Sequence, residues 1–381
     1  MSSARSTPNA FDARADALLS LFERAGYIRV SPAILQPSEP FLDLSGEDIR
    51  KRMYLTTDPQ GRELCLRPDI TIPVSRHYLS SAVAGRAQGF CYLGPVFRYH
   101  RDAAVEFLQA GIESFGRADV TAADAEMLAL GLEATAHYGL ARPHIRIGDL
   151  SLFSALIDAL DLAHAWKRRL IKDFNHKTTL ALDLERLTIT PAHAKPEYQG
   201  VLAALAGSDP KAAHALVTDL LSIAGISAVG GRSVGEIADR FLEQAALGAQ
   251  TSLPQDMRRT IERFLAVSGN PVAAAGELRH LAREHNIALD AALDRFESRT
   301  GLLAARGVDV SSVNFSTAFG RGLDYYTGFV FELHATQEPD NDPVVAGGRY
   351  DGLLTRLGSA TRTPAVGFAV WIERLAGVSP P

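Results

Sequence analysis

The stretch from Gly320 to Glu332 sets the tightest limit on how this chain can fold: Gly-Arg-Gly-Leu-Asp-Tyr-Tyr-Thr-Gly-Phe-Val-Phe-Glu. A glycine–arginine turn leads through two adjacent tyrosines into an apolar strand. Gly320 and Gly322 let the backbone approach a ligand closely, because they carry no Cβ. Arg321 between them offers a planar fork of donors that matches a carboxylate or a phosphate. If the tyrosines already belong to the strand, their side chains point to opposite faces, and only one of Tyr325 and Tyr326 can face a given pocket. An arginine, a phenol and bare backbone suit a small zwitterion. The same residues also fit a tight turn into a core strand with the hydroxyls satisfied locally, and taken alone they leave both readings open.

The remaining sequence supplies a large core around this stretch. With 381 residues, 46% hydrophobic and 22% charged, it has the make-up of a soluble globular protein of two or three domains. A net charge of −5 speaks against a nucleic-acid partner, which usually leaves a basic footprint. Two cysteines, Cys65 and Cys91, are too few for a disulfide framework and point to a reducing compartment. No apolar run approaches the roughly 20 residues that span a bilayer, and residues 1–10 read as a disordered lead without a signal sequence. The expectation is a cytoplasmic protein that does not engage a membrane.

Phe11, Ala15, Leu18, Leu19 and Phe22 recur at helical spacing, and Gly26 ends that helix. Tyr27 to Val30 reads as a strand, with Pro32 making an edge or bend. Met53–Thr57 and Glu63–Leu66 read as a hairpin about an Asp-Pro-Gln-Gly turn. Pro68 stops that strand, and Asp69 or Thr71 can cap the helix running to Leu79. Gly89–Arg98 and Phe107–Gly116 form a second strand pair, the latter carrying Gln109 and Glu113. These two lie four apart and share a strand face. If that face is internal, both need partners: an amine ligand supplies one, and a salt bridge with Arg98 is the alternative. Helices follow at Asp124–Tyr138 and Leu150–Ala165, with a strand at His144–Gly148 between them.

Residues 166–308 are helical by pattern, broken at Pro191, Pro210, Gly230-Gly231 and Pro254, and read as a helical insertion. Gly231-Arg232-Ser233-Val234-Gly235 matches a nucleophile-elbow pattern, but no apolar strand precedes it, so a glycine-rich break with Ser233 capping the next helix fits better. His280 and His285 lack a His-Glu-x-x-His frame, and no phosphate loop occurs, so neither metal nor cofactor is expected. After an acidic loop, Ala346–Gly352 brings adjacent glycines and Arg349, Leu353–Leu357 a helical turn, Pro364–Val370 a buried strand, and Trp371–Leu375 the start of a last helix.

Together these stretches resemble the catalytic core of the histidyl-tRNA synthetases, a class II synthetase family. The likeness runs from about residue 11 to the end and is weakest over 166–308. Arg321 to Tyr326 resembles that family's histidine-recognition signature, and Ala346–Gly352 a second one. Pro32 resembles the proline of the dimer-forming first motif, Phe97-Arg98 with Phe107–Glu113 the second motif, and Ala365–Leu375 the third, with Arg374 as its arginine. The resemblance implies a histidine pocket made by Asp69 (a glutamate in the family), Thr71, Gln109, Glu113, Arg321, Tyr325 and Tyr326. It also implies an α+β fold: an antiparallel sheet flanked by helices, a core of residues 11–165 and 309–381, and an insertion at 166–308. Short strands without regular βα alternation agree with this and disfavour a doubly wound sheet.

The departures are concentrated at the nucleotide site, where Arg98, Phe107 and Arg374 are kept. His100 replaces the motif 2 glutamate that meets adenine, and the loop between Arg101 and Phe107 has lost its basic residues. Trp371 replaces a motif 3 glycine, so an indole takes space that glycine leaves for the nucleotide. The sequence ends seven residues after Arg374, which implies no anticodon-binding domain and no tRNA. This combination resembles the regulatory subunits of ATP phosphoribosyltransferase, a paralogous family of histidine biosynthesis. It implies a non-catalytic protein that a short catalytic subunit requires for activity, that takes part in feedback inhibition by L-histidine, and that forms self-dimers within a hetero-octamer. The alternative is a truncated histidine-activating ligase acting on a non-tRNA acceptor, kept open by Arg98, Arg321 and Arg374. A histidine sensor for some other partner is a third.

Overall fold

The computed structural model describes residues 8–44, 49–101, 104–162, 164–174, 177–188, 210–223, 253–323, 325–338 and 342–378. Its strands, in chain order, are β1 (Ile28–Arg29), β2 (Leu35–Pro37), β3 (Tyr54–Thr57), β4 (Glu63–Leu66), β5 (Gln88–Phe97), β6 (Glu106–Phe115), β7 (His144–Asp149), β8 (Ser268–Gly269), β9 (Asn314–Ser316), β10 (Phe329–His334), β11 (Val345–Arg349) and β12 (Ala365–Trp371). Its helices are α1 (Pro8–Arg24), α2 (Glu39–Leu44), α3 (Thr71–Ser80), α4 (Val120–His137), α5 (Leu150–Ala159), α6 (His164–Asp173), α7 (Lys177–Thr188), α8 (Pro210–Ile223), α9 (Gln255–Ala266), α10 (Pro271–Glu284), α11 (Asp290–Ala305), α12 (Leu353–Arg356) and α13 (Ile372–Ala376). No described helix is long and apolar enough to cross a membrane.

Two compact units divide the chain, one of residues 1–155 with 264–381 and one of residues 156–263. In the first, nine strands form a sheet in the order β1-β5-β6-β12-β11-β10-β7-β9-β8, and β2-β4-β3 form a small second sheet. All neighbours in the large sheet run antiparallel except β1 with β5 and β7 with β9. The second unit contains α6 to α8, with Arg169 on α6 paired to the buried Asp183 on α7. Gly231–Gly235 lies outside the described residues. α10 and α11 belong to the first unit, α11 packing on α4, whereas their periodicity had grouped them with the insertion.

One face of the large sheet is apolar and covered by helices. Ala15, Leu18, Leu19 and Phe22 of α1 are fully buried, as their spacing predicts, although the helix begins at Pro8. Phe22 meets Phe368 edge-on at 5.7 Å, and Phe368 meets Phe331 at 6.1 Å. A Cβ on Gly131 of α4 would lie 3.3 Å from Phe331, so glycine there permits the close helix–sheet approach. Each fully buried Leu or Phe contributes about 1.5–3 kcal/mol.

Beneath this face sits a buried ion network. Asp124 of α4 accepts from Arg299 of α11 at 3.2 Å and from Arg349 at the end of β11 at 2.8 Å. Arg299 also bonds Asp149 at the end of β7, and its guanidinium lies 4.6 Å from the Phe329 ring. Arg349 continues to Asp351 at 2.8 Å, whose carboxylate accepts from Ala365 N at 2.9 Å and so fixes the start of β12. Removing one partner from a buried pair leaves the other charge uncompensated. Arg299→Met should therefore lower unfolding stability by about 3–5 kcal/mol in a denaturant titration, far more than an exposed arginine substitution.

Candidate functional site

Strand register builds the floor of a cavity on the opposite face. Opposed residues of antiparallel strands point the same way. Gln109 faces Gly94 and Trp371, Gly111 faces Tyr92 and Ala369, and Glu113 faces Phe90 and Gly367. Across β11 and β10 the same face continues through Ala346, Gly348 and Glu332. Small residues thus hollow the middle of the sheet, leaving a cavity of about 510 Å³. A Cβ on Gly367 would lie 1.8 Å from Glu113 Oε2 and one on Gly348 2.9 Å from the Tyr326 ring, so both positions require glycine.

Asp69, Thr71, Gln109, Glu113, Arg321, Tyr325 and Tyr326 all line this cavity, as do Arg98, His100, Trp371 and Arg374. Phe107 does not; it lies beneath Arg98, its ring 5.5 Å from the guanidinium. Both tyrosines reach the cavity because they precede the strand, which begins only at Phe329, and strand alternation does not govern them. Their rings lie tilted at 4.9 Å. Tyr92, Tyr350, Glu332 and Asp342 also line or border the site and were not expected from the sequence.

Glu113 is 1% exposed and holds no salt bridge with Arg98. It accepts instead from Thr71 Oγ1 at 2.7 Å, from Tyr92 OH at 3.3 Å and from Tyr350 OH. Arg98 turns its Nε to Pro68 O at 2.8 Å, and burial lowers its pKa to about 10. Burial likewise raises Glu113 to about 8, against the stabilising hydrogen bonds from Tyr350 and Thr71. Asp69 is also raised by burial; its Oδ1 accepts from Ile72 N at 3.1 Å at the start of α3, and its Oδ2 is buried without a hydrogen-bond partner among the described residues. Arg321 is held by Glu332 at 3.4 Å and reaches the Tyr326 hydroxyl at 3.4 Å. Glu332 in turn meets His334 at 3.1 Å.

The other end of the cavity is closed by Trp371 and Arg374. Trp371 is the last residue of β12, not the first of the helix, which aims its ring along the cavity face beside Gln109. Arg374 lies 5.1 Å from that ring, pairs with Asp342 at 2.6 Å and donates to Pro343 O at 3.0 Å. Among the described residues no group of three or more His, Cys, Asp or Glu is spaced to hold a metal ion.

The protonated Glu113 has a consequence for stability. Between its ordinary 4.5 and about 8 the native protein holds a proton that the unfolded chain has released. Stability must therefore fall as pH rises across that window, by at most about 1.4 kcal/mol per pH unit. Glu113→Gln should flatten this fall in melting temperature between pH 5 and 8; an unchanged slope would show Glu113 to be ionised.

A sequence model of the histidyl-tRNA synthetase family matches residues 8–231 and 213–375. ATP phosphoribosyltransferase regulatory subunits from Brucella canis and Brucella suis are 39% identical over 348 residues, 91% of this chain and 92% of theirs. A solved ATP phosphoribosyltransferase regulatory subunit/histidyl-tRNA synthetase from Bacillus halodurans superposes with a TM-score of 0.66 at 21% identity, covering 99% of this chain and 84% of that one. A histidyl-tRNA synthetase from a Nostoc species gives 0.61 at 17% identity, over 98% and 75%. At these identities the solved structures show the fold, a class II synthetase-like sheet flanked by helices. The chain belongs to the ATP phosphoribosyltransferase regulatory subunits of the histidyl-tRNA synthetase family.

Proposed function

We propose that this chain is the non-catalytic regulatory subunit of an ATP phosphoribosyltransferase, and that L-histidine binds in the central cavity. The 39% identity to such subunits over 91% of the chain carries this reading. Its partner is a separate short catalytic subunit that joins ATP to phosphoribosyl pyrophosphate in the cytoplasm, at the first step of histidine biosynthesis. The cavity chemistry supports histidine as the ligand. The unpartnered Asp69 Oδ2 suits an ammonium. Gln109 and the Glu113–tyrosine cluster suit an imidazole, and Arg321 suits a carboxylate. Arg98, His100, Phe107, Trp371 and Arg374 form a degenerate nucleotide site, a reading supported by the indole in place of glycine and by the pairing of Arg374 with Asp342. Histidine that favours one conformation of the complex by about 1–3 kcal/mol inhibits it usefully.

Assembly follows from the same reading. Ile28 on β1 and Leu35 on β2, either side of Pro32 in the sequence, are 53% and 47% exposed, apolar side chains that support self-pairing around Pro32 and, through dimers, a hetero-octamer. Leu35→Glu should shift the isolated protein toward monomer in sedimentation velocity; a variant that sediments like the parent would remove β2 from the interface.

The activity test uses the short catalytic subunit of the same organism. Phosphoribosyl-ATP formation should rise strongly when this protein is added and fall again with L-histidine. No stimulation, with both proteins folded, would overturn the regulatory reading, and robust histidine-dependent ATP–pyrophosphate exchange would favour the ligase. Glu113→Ala and Tyr326→Ala should each weaken histidine binding roughly tenfold or more. Unchanged affinity in both variants would move histidine out of this cavity.

A further inference from the structure

A second cavity, of about 440 Å³, lies beyond β10 on the same face of the large sheet. Strand register sets its floor. Arg146 of β7 stands opposite Glu332 of β10 and level with Asn314 of β9, and His144 stands opposite His334. These side chains therefore share the face that carries the central cavity. His144, Arg146, Asn314 and His334 line the second cavity, with Glu338 at its exposed edge. Its volume falls within the range of about 300–1,000 Å³ in which small molecules bind.

Glu332 stands between the two cavities. Its Oε1 lies 3.4 Å from Arg321 Nε, on the central side. Its Oε2 accepts from His334 Nε2 at 3.1 Å and lies 4.0 Å from Arg146 Nη1, a separation too long for a hydrogen bond. Arg146 is thus the cation whose donors are not used. It makes no hydrogen bond among the described residues, and its side chain is 46% exposed. Its guanidinium carbon lies 4.8 Å from the centroid of the Phe319 ring. Gly148, two residues along β7 on the same face, permits that contact, because a Cβ there would lie 2.2 Å from Phe319 O. A ring answers part of a cation's charge but leaves its hydrogen-bonding capacity unspent.

We propose that this second cavity binds the phosphate group of a small organic phosphate, with Arg146 as its anchor and His144 and Asn314 beside it. A carboxylate can be satisfied by the guanidinium fork alone. Here an imidazole and an amide flank that fork, along β7 and across on β9, and together they match the three acceptor oxygens of a phosphate better than the two of a carboxylate. The volume beyond the phosphate holds the organic part, and the Glu338 carboxylate can accept from a hydroxyl on it. Glu332 does not repel the anion at full strength, because His334 and Arg321 already answer its charge. The assignment does not depend on what fills the central cavity.

Calorimetry on the full chain at constant ionic strength tests it, with inorganic phosphate, glycerol 3-phosphate and glycerate as probes. Glycerol 3-phosphate should bind more tightly than inorganic phosphate, and glycerate, which carries a carboxylate instead, more weakly than either. Arg146→Gln should weaken glycerol 3-phosphate about tenfold or more, and Arg146→Lys, which keeps the charge without the fork, by less. Asn314→Ala should weaken it severalfold, so the outcome does not rest on a single variant folding. Arg142→Gln removes a nearby exposed arginine that does not line the cavity, and should leave the affinity unchanged. The proposal is overturned if neither phosphate binds, if glycerate binds as tightly as glycerol 3-phosphate, or if Arg146→Gln costs no more affinity than Arg142→Gln.

Discussion

Asp124 is the point on which the architecture turns. It sits on α4, below the sheet, and receives two arginines from far along the chain, Arg299 on α11 and Arg349 on β11, 175 and 225 residues away. A carboxylate so buried is tolerable only when its charge is matched and its lone pairs are used. Both conditions are met, and meeting them fixes three elements at once. Arg349 points down into this network because it lies on the apolar face of β11. The next residue, Tyr350, therefore turns to the other face, where its hydroxyl reaches Glu113. Asp351 completes the step by holding Ala365 N, which sets the register that places Gly367 under Glu113. The floor of the cavity is thus positioned from the opposite face of the sheet.

That floor works by omission. Gly94, Gly111, Ala346, Gly348, Gly367 and Ala369 share one face, and their missing side chains create the space that Glu113, Gln109 and the tyrosines enclose. Burial of the two side chains raises the pKa of Glu113 to about 8 and lowers that of Arg98 to about 10. A cation brought to such a carboxylate would favour its ionised form, so its binding would release a proton.

The parts of this arrangement differ in how far they can be read from sequence. Gln109 and Glu113 were legible because strand period two is a local rule and ten apolar-rich residues carry it. Asp69 at the start of α3 was legible for the same reason, as a side chain that can serve its own helix. One of Tyr325 and Tyr326 was legible as a pocket residue from the turn itself, but both together only through family resemblance, since the alternation rule fails where the strand has not begun. Tyr350 and Glu113 are 237 residues apart, and Arg299 and Asp124 are 175 apart. Nothing local in either member names the other. The helices at 271–305 show why periodicity alone misplaces elements: it reports an apolar face, not which surface that face meets.

The contrast between the two ends of the cavity carries the functional logic. At the Glu113 end every donor and acceptor is arranged around a space, with one carboxylate oxygen of Asp69 left over. At the Trp371 end the protein has filled the space with its own indole, and has given Arg374 an internal carboxylate in Asp342. On the reading proposed above, the site keeps its amino-acid half and closes its nucleotide half, and so recognises a ligand without the partner that recognition was coupled to. Binding energy from such a half-site has no reaction to drive, and it is available to shift the equilibrium between conformations of an assembly.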